Sequence, residues 1–150
     1  MKIWIDADAA PNAVKEIVFR ASARLGLETA VVANQRLSTP KSNPRVESVI
    51  VPGGPDVADR YIIDHAAEGD LAITADIPLA AALVERGVLV LDPRGERYSE
   101  ANVRERLSVR DFMDTLRGSG VETGGPRPYG RQERQEFANA LDRLLTKHAG

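Results

Sequence analysis

Met1-Lys2-Ile3-Trp4-Ile5-Asp6-Ala7-Asp8-Ala9-Ala10-Pro11 is the stretch on which the reading of this chain turns. Ile3-Trp4-Ile5 is a short apolar run of branched and aromatic side chains, as in a strand buried on both faces. It stops at two carboxylates spaced two apart, and a proline then opens a helical pattern. In an open α/β sheet, ligands bind outside the carboxyl ends of the strands, at a topological switch point. A centrally placed first strand puts Asp6 and Asp8 at the mouth of that crevice. Two like charges there repel each other and lose hydration, so an apolar strand has little structural reason to end in both. A bound cation resolves the conflict. The competing reading makes Asp6 a strand stop and Asp8 a helix cap.

Working outward, Pro11 to Leu25 has helical spacing, with Val14, Ile17, Val18, Ala21 and Leu25 on one face and Gly26 as the stop. Strands are expected at Glu28–Ala33, Val46–Val51, Leu71–Thr74 and Val88–Leu91, and a polar surface loop with two prolines at Arg36–Pro44. After Pro52-Gly53-Gly54-Pro55, Asp56 reads as the N-cap of a helix, with Asp59 at the N3 position of a capping-box-like pair. Pro78 to Arg86 is a short Ala/Leu-rich helix. The alternation of apolar strands with helices predicts a three-layer α/β/α sandwich around a mostly parallel sheet. Three times a strand runs out onto a carboxylate, at Asp6, Asp76 and Asp92.

The texture changes after residue 93. Arg94 to Tyr98 reads as a polar turn, Ser99–Leu107 and Ser108–Leu116 as two short helices, 119–130 as a Gly/Pro loop, and Arg131–His148 as a final helix with Phe137, Leu141, Leu144 and Leu145 on its core face. The expected organisation is therefore one domain over 1–150, with an α/β core over 1–93 and a helical extension over 94–150.

One domain also suits 150 residues, a length that buries a core without staples. The absence of cysteine excludes disulfides, thiolate metal sites and cysteine nucleophiles, and suits a reducing cytoplasm. No segment approaches a membrane span, and the acids at 6 and 8 interrupt what would be the apolar region of a signal peptide. Net charge is −2, so no global basic field draws in nucleic acid. Locally the balance shifts, from −4 over residues 1–93 to +2 over 94–150, where all but one of the bases are arginine. That asymmetry is compatible with phosphate contacts.

Asp6, Asp59 and Asp76, with Asp8, Asp56 and Asp92 as further candidates, are placed to converge at the carboxyl edge of the sheet. A cluster of carboxylates alone selects hard cations such as Mg²⁺ or Mn²⁺, and the reaction this implies is metal-assisted phosphate or phosphodiester hydrolysis. Each acid also has a plain structural reading: Asp56 and Asp76 as helix caps, Asp59 as a capping-box partner, Asp70 as a turn residue. Asn34 and Gln35 end a strand at the same edge and are candidate substrate groups. Arg94, Arg97, Arg104 and Arg110 are candidate phosphate contacts or solvated surface. His65 is a lone histidine on an apolar helix face. No Walker pattern and no Gly-x-Gly-x-x-Gly occurs.

Several segments together resemble one family: 3–11 (Ile-Trp-Ile-Asp-Ala-Asp-Ala-Ala-Pro), 32–35 (Val-Ala-Asn-Gln), 56–59 (Asp-Val-Ala-Asp), 69–80 (Gly-Asp-Leu-Ala-Ile-Thr-Ala-Asp-Ile-Pro-Leu-Ala), 93–98, 110–117 and 123–126. The resemblance is to the YaiI/YqxD-like bacterial proteins (UPF0178-type) and spans nearly the whole chain. It implies a PIN-like domain, similar to Mg²⁺/Mn²⁺-dependent ribonucleases. Asp6 then matches the acid of strand one, Asp59 a helix acid and Asp76 the acid of the Thr-x-Asp motif. The chain departs from that pattern at Ala10, where the family commonly has cysteine.

The leading expectation is a divalent-metal-dependent nuclease acting on RNA. Asp6, Asp59 and Asp76 are the metal ligands, Asp8 assists, and Asn34, Arg94, Arg97 and Arg110 contact substrate. A phosphatase of the haloacid-dehalogenase type is the nearest rival, because an apolar strand followed by Asp-x-Asp is how that class places nucleophile and acid. Against it, Asp70 precedes its strand and the expected Thr or Val after the motif is missing. A phosphoreceiver domain would need a lysine where Asp92-Pro93 stands. A non-catalytic module binding RNA or protein is the reading from another class.

Overall fold

In the computed structural model, which describes residues 1–121 and 128–148, the strands form one sheet in the order β3-β2-β1-β4-β5-β6. They are β1 (Ile3–Asp6), β2 (Thr29–Ala33), β3 (Val46–Ile50), β4 (Leu71–Ile73), β5 (Leu89–Leu91) and β6 (Arg97–Tyr98). The first five are parallel and β6 runs antiparallel beside β5. From β1 the chain moves outward through β2 to β3, then returns to lay β4 on the other flank of β1. That reversal is the switch point, and it falls between β1 and β4.

The helices are α1 (Asn12–Leu25), α2 (Val57–His65), α3 (Ile77–Glu85), α4 (Glu100–Gly118) and α5 (Arg131–His148). Side chains alternate across a strand with period two, and two cores follow. Ile3 and Ile5 point into one with Val14 and Val18 of α1 and Phe137, Leu141 and Leu145 of α5. Trp4 points into the other with Ile62 of α2, Leu79 and Leu83 of α3 and Val103 of α4. The molecule is a three-layer sandwich whose C-terminal helices complete its outer layers. The same alternation turns Asp6 toward the α2/α3 side.

Several expectations are corrected. The segment read as two helices is one, α4, because no Gly or Pro separates Leu107 from Ser108, and Ser108 sits mid-helix on the surface. The start is at Ser99, whose N–H donates to Asn102 Oδ1 at 2.8 Å. The turn after Asp92 contains an edge strand, β6, too short to show an alternating pattern. Asp56 does not cap α2 with its side chain and forms no capping box with Asp59; it enters the helix with φ 62°, in the left-handed region. Leu25 is 42% exposed, standing at the rim where Gly26 turns the chain. Residues 122–127 of the expected Gly/Pro loop lie outside the described residues. Among those described, no helix is long and apolar enough to cross a membrane.

Candidate functional site

Five carboxylates line one cavity of about 360 Å³ at the carboxyl edge: Asp6, Asp8, Asp56, Asp59 and Asp76, with the small residues Gly54, Ala58 and Ala75 filling the gaps. Among the described residues no basic side chain lines it. Four elements deliver the acids. Asp6 ends β1 and is 5% exposed; Asp8 lies on the 3₁₀ turn Ala7–Ala9, exposed. Asp56 and Asp59 sit at the start of α2, and Asp76 is the N-cap of α3. Asp56 is the single non-glycine residue with positive φ among the described residues. Aspartate tolerates that conformation better than most residues do.

Thr74 ties the two sides of the switch point together. Its Oγ1 donates to Asp6 Oδ2 at 2.9 Å and accepts from the Asp76 N–H at 3.0 Å. Asp76 Oδ1 in turn accepts from Leu79 N–H at 3.0 Å, using a donor left free at the helix start. Thr74 escaped the sequence reading as a site residue, although its place two before a strand-end acid was the signal.

Electrostatically the cavity is under load. Burial raises the Asp6 pKa most; the Thr74 hydrogen bond opposes this, and the charges of Asp76 and Asp8 add to it. Asp59 is pushed up to about 7, first by burial, then by the charges of Asp76 and Asp6, a hydrogen bond to Asp76 and the charge of Asp56. Among the described residues, no group of three or more acids or histidines is already drawn together closely enough to hold a metal ion. A carboxyl whose folded pKa is raised adds stability below its unfolded value and loses it as pH rises through the folded one. In EDTA, stability is therefore expected to fall between about pH 4 and about pH 7. The loss from Asp59 should be on the order of 1 kcal/mol once solvent screening is allowed for. Thermal melts across that range check it, and Asp59→Asn should flatten the slope.

The other candidate residues lie elsewhere. Asp92 is buried, and its Oδ1 accepts from the N–H groups of Arg94 and Glu96, each at 2.9 Å, so a local turn uses it. Asp70 accepts from Lys2 N–H (2.9 Å), Trp4 Nε1 (3.1 Å) and Ala67 N–H (2.9 Å), at the amino edge of the sheet. Asn34 is exposed at the end of β2, its side-chain nitrogen beside Gly53. Arg94 lies 5.9 Å over the Tyr129 ring. Arg110 pairs with Asp111 and Asp114 on its own helix. Arg97 opens onto a separate cavity of about 190 Å³ with Arg143, Lys147 and His148. None of these lines the acidic cavity. His65 is exposed and stacks on Tyr61, ring centres 3.9 Å apart. A larger cavity, about 580 Å³ between α3 and α4, gathers no comparable set of like groups.

Comparison with known proteins places these features in company. Residues 4–147 match a family described as "Uncharacterized BCR, YaiI/YqxD family". The chain is 59% identical over 147 residues to a UPF0178 protein of Myxococcus xanthus, covering 98% of this chain and 95% of the relative. It is 54% identical to one of Aliivibrio fischeri, covering 98% of each. One from Yersinia pestis is 53% identical over 145 residues, 97% of this chain and 95% of the relative. Those names carry no activity. No solved structure matches.

Proposed function

The chain belongs to the YaiI/YqxD family, and from that premise we propose that it is a divalent-metal-dependent nuclease acting on RNA. The observation that carries the reading is the acidic cavity, lined by five carboxylates that include Asp6, the most buried acid among the described residues. Structural demands explain Asp76, which caps α3. Asp56 and Asp59 also stand at the start of α2, but Asp6, Asp8, Asp56 and Asp59 make no side-chain cap bond and, among the described residues, no ion pair.

The donor set fits a hard cation in chemistry, since every candidate ligand is a carboxylate oxygen. Asp6, Asp59 and Asp76 are the residues that would hold Mg²⁺ or Mn²⁺, with Asp8 assisting from the rim. Such an ion, when bound, supplies Lewis acidity and a water acidic enough to attack a phosphodiester near neutral pH. The chain's own part is positioning. Thr74 fixes the orientation of Asp6, the Leu79 N–H fixes Asp76, and the small Gly54, Ala58 and Ala75 leave room for a phosphate. Asn34 at the end of β2 and Arg94, Arg97 and Arg110, all outside the cavity, are the candidate contacts to the RNA backbone. A cytoplasmic setting would give such an enzyme its substrate.

Labelled single-stranded RNA incubated with Mn²⁺ should be cut, and EDTA should stop the cutting. Hydrolysis of small phosphomonoesters alone would favour the phosphatase instead. That reading is weakened by Asp70, which lies at the opposite sheet edge from Asp6 and Asp8. RNA retained uncut with every metal tried would leave a binding module.

A further inference from the structure

We propose that the groove between the edge strand β6 and α5 is a second phosphate site, which grips the RNA backbone a few nucleotides from the bond to be cut; the inference rests on the nuclease reading. Arg97 of β6 and Arg143, Lys147 and His148 of α5 line this cavity of about 190 Å³, and among the described residues no acid does. Bases gathered at one cavity repel each other, and a polyanion relieves that. The acids nearest along the chain are engaged elsewhere. Glu96 pairs with Arg106, Asp142 with Arg24 at 3.7 Å, and Glu136 accepts from Gln132 at 3.1 Å. Asp92 is held by the amides of its own turn. Among the described residues no ion pair uses Arg97, Arg143 or Lys147. The free carbonyls ending α5 account for Lys147 and His148, in its last turn. They do not account for Arg143, farther back, or for Arg97, on a strand. Two guanidinium forks suit phosphate oxygens, which they can hold in pairs.

The sheet register relates this groove to the acidic cavity. Ile5 pairs with Ile73, Ile73 with Leu91 and Leu91 with Arg97, one row across β1, β4, β5 and β6. Three strand spacings, roughly 14 Å, separate its ends. Asp6 follows Ile5 and ends β1, while Arg97 opens the antiparallel β6, so both stand at the carboxyl edge. Opposed residues share a face, which puts Arg97 on the α1/α5 side with Leu91, whereas Asp6 turns to the other. An RNA strand reaching both must therefore pass over the carboxyl edge. The turn after β5 lies on that route, with the Arg94 guanidinium over the half-buried Tyr129 ring. A phosphate at Asp6 cannot itself reach the groove, so the groove acts only on RNA that extends beyond the cut.

In EDTA the full chain should hold a labelled single-stranded RNA of about twelve nucleotides. Arg97→Ala with Arg143→Ala should weaken that binding about tenfold or more. The slope of log affinity against log salt should flatten by about 1.4, two phosphate contacts at roughly 0.7 each. Both side chains are exposed, so the melting temperature should not move. Arg20→Ala with Arg86→Ala removes the same charge from exposed positions elsewhere and should leave the slope as it was. Equal losses from the two pairs would reduce the groove to diffuse charge and overturn the proposal. So would no RNA bound in EDTA, no loss from either pair, or poly-glutamate held as tightly through the same two arginines. RNA gripped here yet uncut with every metal tried would remove the nuclease and keep the groove. RNA cut by a double variant that binds it as the wild type does would keep the nuclease and remove the groove.

Discussion

Asp6→Asn is expected to abolish metal-dependent RNA cleavage and, in the same protein, to raise thermal stability. The rate should fall about a thousandfold or more, some 4 kcal/mol of barrier. The amide keeps the shape and can still accept from Thr74, but it offers no charge to a cation. The gain in stability follows from the folded protein's difficulty in keeping a carboxylate there. Burial, with the charges of Asp76 and Asp8, outweighs the Thr74 hydrogen bond and raises the Asp6 pKa. The sign is that of a raised carboxyl: the stability it lends is present below the ordinary carboxylate range and lost as pH rises through its folded value. At about pH 8 without metal, the Asn variant escapes that loss, with a gain on the order of 1 kcal/mol. Cleavage rates with Mn²⁺ and melts in EDTA test both halves. An inactive variant that is also less stable would make Asp6 a structural residue, and an active one would remove it from the chemistry.

Gly95→Ala should be the most damaging single-methyl change in the described chain. Gly95 turns between β5 and β6 at φ 89°, and a Cβ there would lie 2.7 Å from the carbonyl oxygen of Glu136 and 2.9 Å from its carbon. These are backbone atoms of α5, held by the fully buried Phe137 beside them. Neither the turn nor the helix can yield cheaply. The expected loss is about 3 kcal/mol or more, from left-handed strain and overpacking together, or roughly 10 °C in melting temperature. Gly69→Ala separates the two causes, since Gly69 has φ 87° with nothing within 4 Å of the added carbon. It should cost only about 1 kcal/mol. Equal losses at both positions would mean that α5 moves freely and that the close approach costs nothing.

The layers were readable because Ile3-Trp4-Ile5 and Leu71-Ala72-Ile73 are apolar on both faces, which only a covered parallel sheet explains. That Asp6 and Asp76 reach one cavity was readable for a related reason: both lie just past strands that end at the same edge. Asp92 shows the limit. It follows its strand in the same way, yet the N–H groups of Arg94 and Glu96 occupy it. That outcome depends on the Gly95 turn closing against α5, a contact with no local signature. Asp56 was read correctly as the residue before α2, with Asp59 at N3, but its missing cap bond was not, because a single left-handed residue after two prolines and two glycines leaves no periodic trace. Ser108 suggested a helix start because serine prefers caps, but uninterrupted helix formers on both sides prevail over that preference.

The bond from Thr74 to Asp6 spans 68 positions of the chain. Closing β1 against β4 over that span carries a loop-closure cost that nearer pairings do not share. Crowding of charge sealed behind such a pairing is felt by the finished molecule and hardly by the forms that precede it. Relieving it should therefore slow the rate at which the folded chain opens, and leave the rate at which it assembles almost unchanged.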